Sequence, residues 1–315
     1  MNFIVADPKG ENWSFAKKVY DKIKTKTNNF RLNEVSIERF RDGEIKPKIK
    51  KNIRNGNCFF IHDSNKKPAD WFLELCLINH TMRKSSAEKI IDVMPYMDFS
   101  RQDRKDESRV PISARVVADV VCLYADSVIT IDPHNRAIEG FYSIPFNGLY
   151  SFPVTVKHIK RRYPKMLENL VIMSTDTGGA AGAKDYARKF GIDEVAISYK
   201  TRPKSGEVGT IKILGEVAEK NVLIVDDMID SGGTLAKAAQ EAKKKGAKKL
   251  YAYSTHGLFT EGMEIVTPYF ERVFVGDIIK LEKPHNKIEV ISFTDLFADA
   301  IYRTSKGQSL SELFV

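Results

Sequence analysis

The sequence predicts an α/β protein made of two related doubly wound domains with mostly parallel sheets. Three observations carry this. Short Val/Ile-rich runs alternate with runs of helical length and periodicity along the whole chain. The apolar runs are continuous, as in strands buried on both faces. Two of them, SVITIDPH (127–134) and NVLIVDDM (221–228), end in Asp and look like versions of each other.

The elements follow in order. NFIVA opens as a strand and Trp13 to Lys26 reads as a helix. CFFIHD (58–63) is a strand and Ala69 to Lys84 a helix. KIIDVMPY (89–96) is a strand, Ser113 to Tyr124 a helix, and 127–134 a strand. NLVIMSTD, a helix from Ala180 to Phe190, EVAISYK, NVLIVDD, a helix from Leu235 to Lys245, KLYAYSTHG, RVFVGD and EVISF repeat the scheme. A boundary near 147–152 gives domains 1–149 and 150–315. The amphipathic C-terminal run ISFTDLFADAIYRTSKGQSLSELF fits on either domain.

At 315 residues and 43% hydrophobic content the chain has enough apolar sequence for two cores. The net charge is +9, but the lysines are scattered through solvated helical faces such as AKKKGAKKL (242–250). No basic tract is interleaved with aromatics, so a nucleic-acid partner is not expected, and a positive field equally suits phosphorylated substrates. Cys58, Cys76 and Cys122 have no metal or disulfide spacing. No apolar run has membrane-spanning length, and the N-terminus lacks a signal pattern. A cytoplasmic location without membrane association is expected.

The most telling segment is NVLIVDDMIDSGGT (221–234). An apolar strand from Val222 to Val225 is followed at its carboxyl end by Asp226 and Asp227, then by Asp230, Ser231, Gly232, Gly233 and Thr234 before a helix-forming run. Two glycines allow close backbone approach, and a helix N-terminus offers free N–H groups and positive dipole to an anion. Carboxylates beside a phosphate would repel it, so Asp226 and Asp227 suit sugar hydroxyls or a hydrated Mg²⁺. Phosphate, diol and metal together describe a ribose 5-phosphate or 5-phosphoribosyl pocket.

Five further clusters carry chemistry. In VMPYMDFSRQDRK (93–105), Arg101, Gln102, Asp103 and Arg104 follow a strand end; Arg suits phosphate and adenine stacking, Gln and Asp a purine edge or ribose. FRDGEI (40–45) places Asp42 and Glu44 around a Gly43 turn, which on its own also reads as a charged hairpin tip. His134 follows a strand directly in IDPHNRAIEGFY. In STDTGGAAGAKDYA (174–187), Asp176 precedes Gly178 and Gly179. In SYKTRPKSGEVG (198–209), Lys200 and Arg202 alternate and so point the same way.

The 221–234 segment resembles the phosphoribosyl diphosphate (PRPP) motif of type I phosphoribosyltransferases and of ribose-phosphate diphosphokinases. The RQDR element and SRVPISARVVAD (108–119) resemble the diphosphokinases alone, and the resemblance runs along essentially the whole chain. It implies two type I phosphoribosyltransferase-like domains and transfer of the ATP diphosphoryl group to ribose 5-phosphate, giving PRPP and AMP. It implies ATP contacts from Arg101, Gln102, Asp103 and His134, and from Phe40, Asp42 and Glu44, the last three reaching mainly into a neighbouring subunit of a homo-oligomer, built on dimers or up to a hexamer. It implies Mg²⁺ near His134 and Asp176, catalytic Lys200 and Arg202, and a ribose 5-phosphate site from Asp226 and Asp227 through Asp230 to Thr234. Pro133, Asn135 and Thr175 depart from the family pattern. Asn52 stands where a regulatory serine is expected. A phosphoribosyltransferase that consumes PRPP, and a non-catalytic regulatory relative, are the alternatives.

Overall fold

The computed structural model describes residues 1–200 and 211–314. The chain divides into two compact units: Met1–Tyr150 with Phe293–Val315, and Ser151–Ser292. In unit 1 the elements are β1 (Asn2–Ala6), α1 (Trp13–Lys24), β2 (Phe30–Arg39), β3 (Ile45–Ile49), β4 (Asn57–Ile61), α2 (Pro68–Lys84), β5 (Lys89–Met94), α3 (Ser113–Tyr124), β6 (Ser127–Ile131) and β7 (Phe146–Leu149). Unit 2 holds α4 (Phe152–Arg162), β8 (Leu170–Ser174), α5 (Ala180–Phe190), β9 (Val195–Lys200), β10 (Ile211–Leu214), β11 (Asn221–Ile229), α6 (Gly233–Lys244), β12 (Lys249–Gly257), β13 (Arg272–Gly276) and β14 (Ile288–Ile291). Helix α7 (Thr294–Ser305) then belongs to unit 1.

Among the described residues each unit has one seven-stranded sheet, ordered β3-β2-β1-β4-β5-β6-β7 and β10-β9-β8-β11-β12-β13-β14. The two orders are the same pattern. The β2–β3 and β9–β10 pairs are antiparallel and every other neighbour is parallel. The fold class is therefore as read from the sequence, a pair of doubly wound α/β units. Continuous apolar runs fill the sheet centres: β1, β8 and residues Val222–Val225 of β11 are buried throughout. Helices cover both faces, as parallel sheets require.

Strand order reverses between β1 and β4 in unit 1, and between β8 and β11 in unit 2. Ligands of such sheets bind beyond the carboxyl ends of strands at these switch points. One correction concerns β11, which does not stop at the acidic pair. It continues through Asp226 and Asp227 to Ile229, because the ladder to β12 persists (Met228 beside His256, Ile229 beside Gly257) after pairing with β8 has ended at Ser174. Helix α7 packs on α1 through Phe297 against Phe15, with ring centroids 5.4 Å apart, and through the ion pairs Lys22–Asp295 (3.0 Å) and Lys26–Asp299.

Candidate active site

In unit 2 the register of β8 and β11 sets Thr175 beside Asp226. The Thr175 hydroxyl donates to Asp226 Oδ2 at 2.6 Å, and the Asp227 N–H donates to Asp226 Oδ1 at 3.0 Å. Burial pushes the Asp226 carboxyl well above its ordinary range, and the charges of Asp227 and Asp176 push the same way. Thr175 thus serves β11. The turn that follows is built by its neighbours: Ser174 Oγ donates to the Asp176 carbonyl at 2.8 Å, and Gly179 N–H donates to Asp176 Oδ1 at 2.8 Å.

Beyond β11 the loop turns sharply into α6. Gly232 has φ +84°, and a Cβ there would lie 2.3 Å from Val266 Cγ2, so glycine is required twice over. No side chain caps α6, and Ser231 Oγ accepts from Gly233 N–H only at 3.4 Å. The first-turn N–H groups around Gly233 and Thr234 therefore offer donors to an anion. Asp230 is held by Thr260, whose hydroxyl donates to Oδ1 at 2.8 Å and whose N–H donates to the Asp230 carbonyl at 3.0 Å. The backbone of Lys200 ends β9 opposite Ile211, and Arg202 lies outside the described residues.

The expected nucleotide elements lie in unit 1. Arg101, Gln102 and Asp103 follow β5, and the Gln102 carbonyl accepts from Ala114 N–H at 3.2 Å at the start of α3. Gln102 Nε2 donates to Asp106 Oδ1 at 3.2 Å. His134 follows β6 in a loop where Asp132 takes φ +39° and donates its N–H to Leu149 at 3.0 Å. Asn135 Nδ2 donates to Asp103 Oδ2 at 2.5 Å, which joins the two loops. Phe40 to Glu44 form the β2–β3 turn, closed by Phe40 N–H to the Glu44 carbonyl at 2.8 Å, with Asp42 Oδ1 accepting from Glu44 N–H at 3.1 Å. Phe40 is 54% exposed, so it is not a core residue. His134 and Asp176, expected near one metal, belong to different units. Among the described residues no three His, Cys, Asp or Glu side chains form a ready-made cage. Mg²⁺ takes one or two carboxylates plus waters and substrate phosphates, so the oxygen donors of Asp176 and its neighbours fit it without one.

Sequence reading named Thr175 and Asn135 only as departures from a pattern, without their partners, and did not name Asp98. Thr175 and Asn135 act across strands, and only the sheet order brings them to Asp226 and Asp103. Asp98 is 6% exposed with no hydrogen-bond partner for Oδ2 among the described residues. Burial pushes its carboxyl up to about 7 against the pull of Arg101. A lone acid inside the otherwise apolar PYMDF was the available signal.

The switch point of unit 1 is filled by its own side chains. Lys66 Nζ bonds Asp7 Oδ2 at 3.0 Å and also Glu74. Asn12 Nδ2 donates to Ser64 Oγ and to the His62 carbonyl, each at 3.1 Å. Helix α2 starts at Pro68, which has no N–H to offer.

Residues 9–123 match the family described as the N-terminal domain of ribose phosphate pyrophosphokinase, and residues 188–315 the phosphoribosyl synthetase-associated domain. The ribose-phosphate pyrophosphokinase of Chlorobaculum tepidum is 39% identical over 287 residues, 90% of this chain and 88% of that protein. That of Haemophilus influenzae is 36% identical over 290 residues, 90% of this chain and 91% of that one. The crystal structure of phosphoribosylpyrophosphate synthetase from Mycobacterium smegmatis superposes with a TM-score of 0.88 at 25% identity, covering 98% of this chain and all of that one (100%). With a similarity that spans both units and both switch points, the chain belongs to the ribose-phosphate pyrophosphokinase family.

Proposed function

We propose that this protein is a ribose-phosphate diphosphokinase, converting ATP and ribose 5-phosphate to PRPP and AMP. The observation that carries the reading is the unit 2 switch point, where two adjacent carboxylates on β11 precede an uncapped, glycine-entered helix. Asp226 and Asp227 hold the ribose diol, and Asp230, Ser231, Gly232, Gly233 and Thr234 grip the 5-phosphate. Arg101, Gln102, Asp103 and His134 hold ATP. Phe40, Asp42 and Glu44 reach the nucleotide of a neighbouring copy in a homo-oligomer. The ribose C1 hydroxyl attacks the β-phosphorus in line and AMP leaves. Lys200 and Arg202 neutralise charge on the transferred group, which is where such chemistry gains most. Asp176 would offer Mg²⁺ a carboxylate oxygen and His134 a ring nitrogen, and the ion when bound neutralises phosphate charge. The enzyme works in the cytoplasm; among the described residues no helix is long and apolar enough to cross a membrane.

The test is AMP release from ATP with and without ribose 5-phosphate. Release that depends on ribose 5-phosphate is expected, and Lys200→Ala lowers kcat by about 10²–10³ with little change in ATP affinity. No AMP, or release indifferent to the sugar phosphate, overturns the reading.

A further inference from the structure

Asn135 makes two bonds that use both ends of one amide. Oδ1 accepts from Ala137 N–H at 2.9 Å and so caps the short 3-10 helix Arg136–Phe141, while Nδ2 donates to Asp103 Oδ2 at 2.5 Å. The two contacts fix the amide orientation, because only Nδ2 can donate and only Oδ1 can accept. The bond to Asp103 joins an amide to a carboxylate at an exposed position. It spans two separate loops, one from β5 and one from β6, which are neighbours in the sheet. His134 directly precedes Asn135, and Arg101 and Gln102 directly precede Asp103.

Both loops contain a left-handed residue: Phe99 takes φ +63°, uncommon for a bulky side chain, and Asp132 φ +39°, which aspartate adopts more readily. A clip between the loops restrains both. We infer that Asn135 is a positioning residue for nucleotide use, tying the Asp103 loop to the His134 loop so that both present their side chains to ATP in one fixed arrangement. This rests on the reading of Arg101, Gln102, Asp103 and His134 as the nucleotide elements. Asn135 need not touch ATP; it acts through Asp103.

The cap and the clip can be separated by substitution. Asn135→Asp keeps an acceptor for Ala137 N–H but sets a carboxylate against Asp103. Asn135→Ser also keeps an acceptor two residues before the capped N–H, but is too short to bridge. In the full-length protein, steady-state kinetics with ATP and ribose 5-phosphate should show Asn135→Asp raising the ATP KM about tenfold, the worth of a hydrogen bond to a charged group. The KM for ribose 5-phosphate and the Tm should stay unchanged. Asn135→Ser should raise the ATP KM less. In an Asp103→Asn background, Asn135→Asp should cost nothing further, since the amide and carboxylate have merely exchanged places.

If Asp103→Ala raises the ATP KM and Asn135→Asp does not, the inference fails while the assignment of the ATP loop stands. If Asp103→Ala leaves the ATP KM unchanged, both fail together. Equal losses for both substrates with a lowered Tm would assign Asn135 a purely structural role and overturn the inference.

Discussion

The two units share a strand order, yet their switch points are filled in opposite ways. Beyond β1 and β4, unit 1 sets Lys66 between Asp7 and Glu74, links Asn12 to Ser64, and starts α2 with a proline. Beyond β8 and β11, unit 2 sets Asp226 among the charges of Asp227 and Asp176 and enters α6 through a left-handed glycine, whereas neither α2 nor α6 has a side-chain cap. Unit 1 answers its charges internally; unit 2 gathers like charges. The same topology therefore carries a charge-paired crevice in one unit and a like-charged one in the other, and the side chains alone decide which.

The largest expected effect breaks the charge-paired crevice. Burial pulls the Lys66 ammonium down, but its bonds to Glu74 and Asp7 outweigh this and leave it above its ordinary value. Lys66→Met would strand two partly buried carboxylates, at a cost of about 3 kcal/mol. Urea denaturation should show that loss; a change within experimental error would make the triad a mere surface pair and remove one side of the comparison.

A smaller effect is expected from Gly232→Ala in the like-charged crevice. The left-handed φ and the Val266 contact together cost about 2 kcal/mol, and the KM for ribose 5-phosphate should rise. Unchanged sugar-phosphate kinetics would show that the α6 N-terminus does not bind the 5-phosphate.

The smallest change has the opposite sign. Because the folded Asp226 carboxyl sits well above its ordinary 3.8, the folded chain keeps a proton that the unfolded chain has lost between those two values. Stability therefore falls as pH rises through that window. Asp226→Asn removes the fall, so without divalent metal the variant should gain about 1 kcal/mol at pH 8 and nothing near pH 4, while turnover drops. Thermal unfolding at both pH values checks this. A loss of stability at pH 8 would mean that Thr175 and the local backbone satisfy the charge fully.

The sheet centres were legible because buried parallel strands must be continuously apolar; Val222–Val225 read directly as such, and the expected 127–134 strand is found as Ser127–Ile131, ending before the loop of Asp132 and Pro133. Helices α3 and α5 match their expected bounds, and Gly191, left-handed after α5, marks the stop. The edges were not legible. β3, the edge strand, carries Lys46, Pro47 and Lys48, and β2 beside it alternates polar with apolar residues, so neither has a buried-strand signature. β7 is four residues with a glycine, β10 is equally short, and α4 is masked by Pro153 and its run of basic residues. At the site, the loops that follow strands could be read one by one. What one loop does to another, as Thr175 to Asp226 and Asn135 to Asp103, depends on strand order and lies outside any local pattern.

Helix α7 has a consequence for the order of assembly. Unit 1 begins the chain, but its last helix follows residues 151–292, so the ribosome releases a whole unit 2 before unit 1 has all its parts. Until α7 arrives, the side of α1 that carries Phe15 lacks Phe297, and Lys22 and Lys26 lack their aspartates. The usual expectation that the N-terminal domain matures first during synthesis is thereby reversed for this chain: unit 2 can finish folding while unit 1 waits for its closing piece.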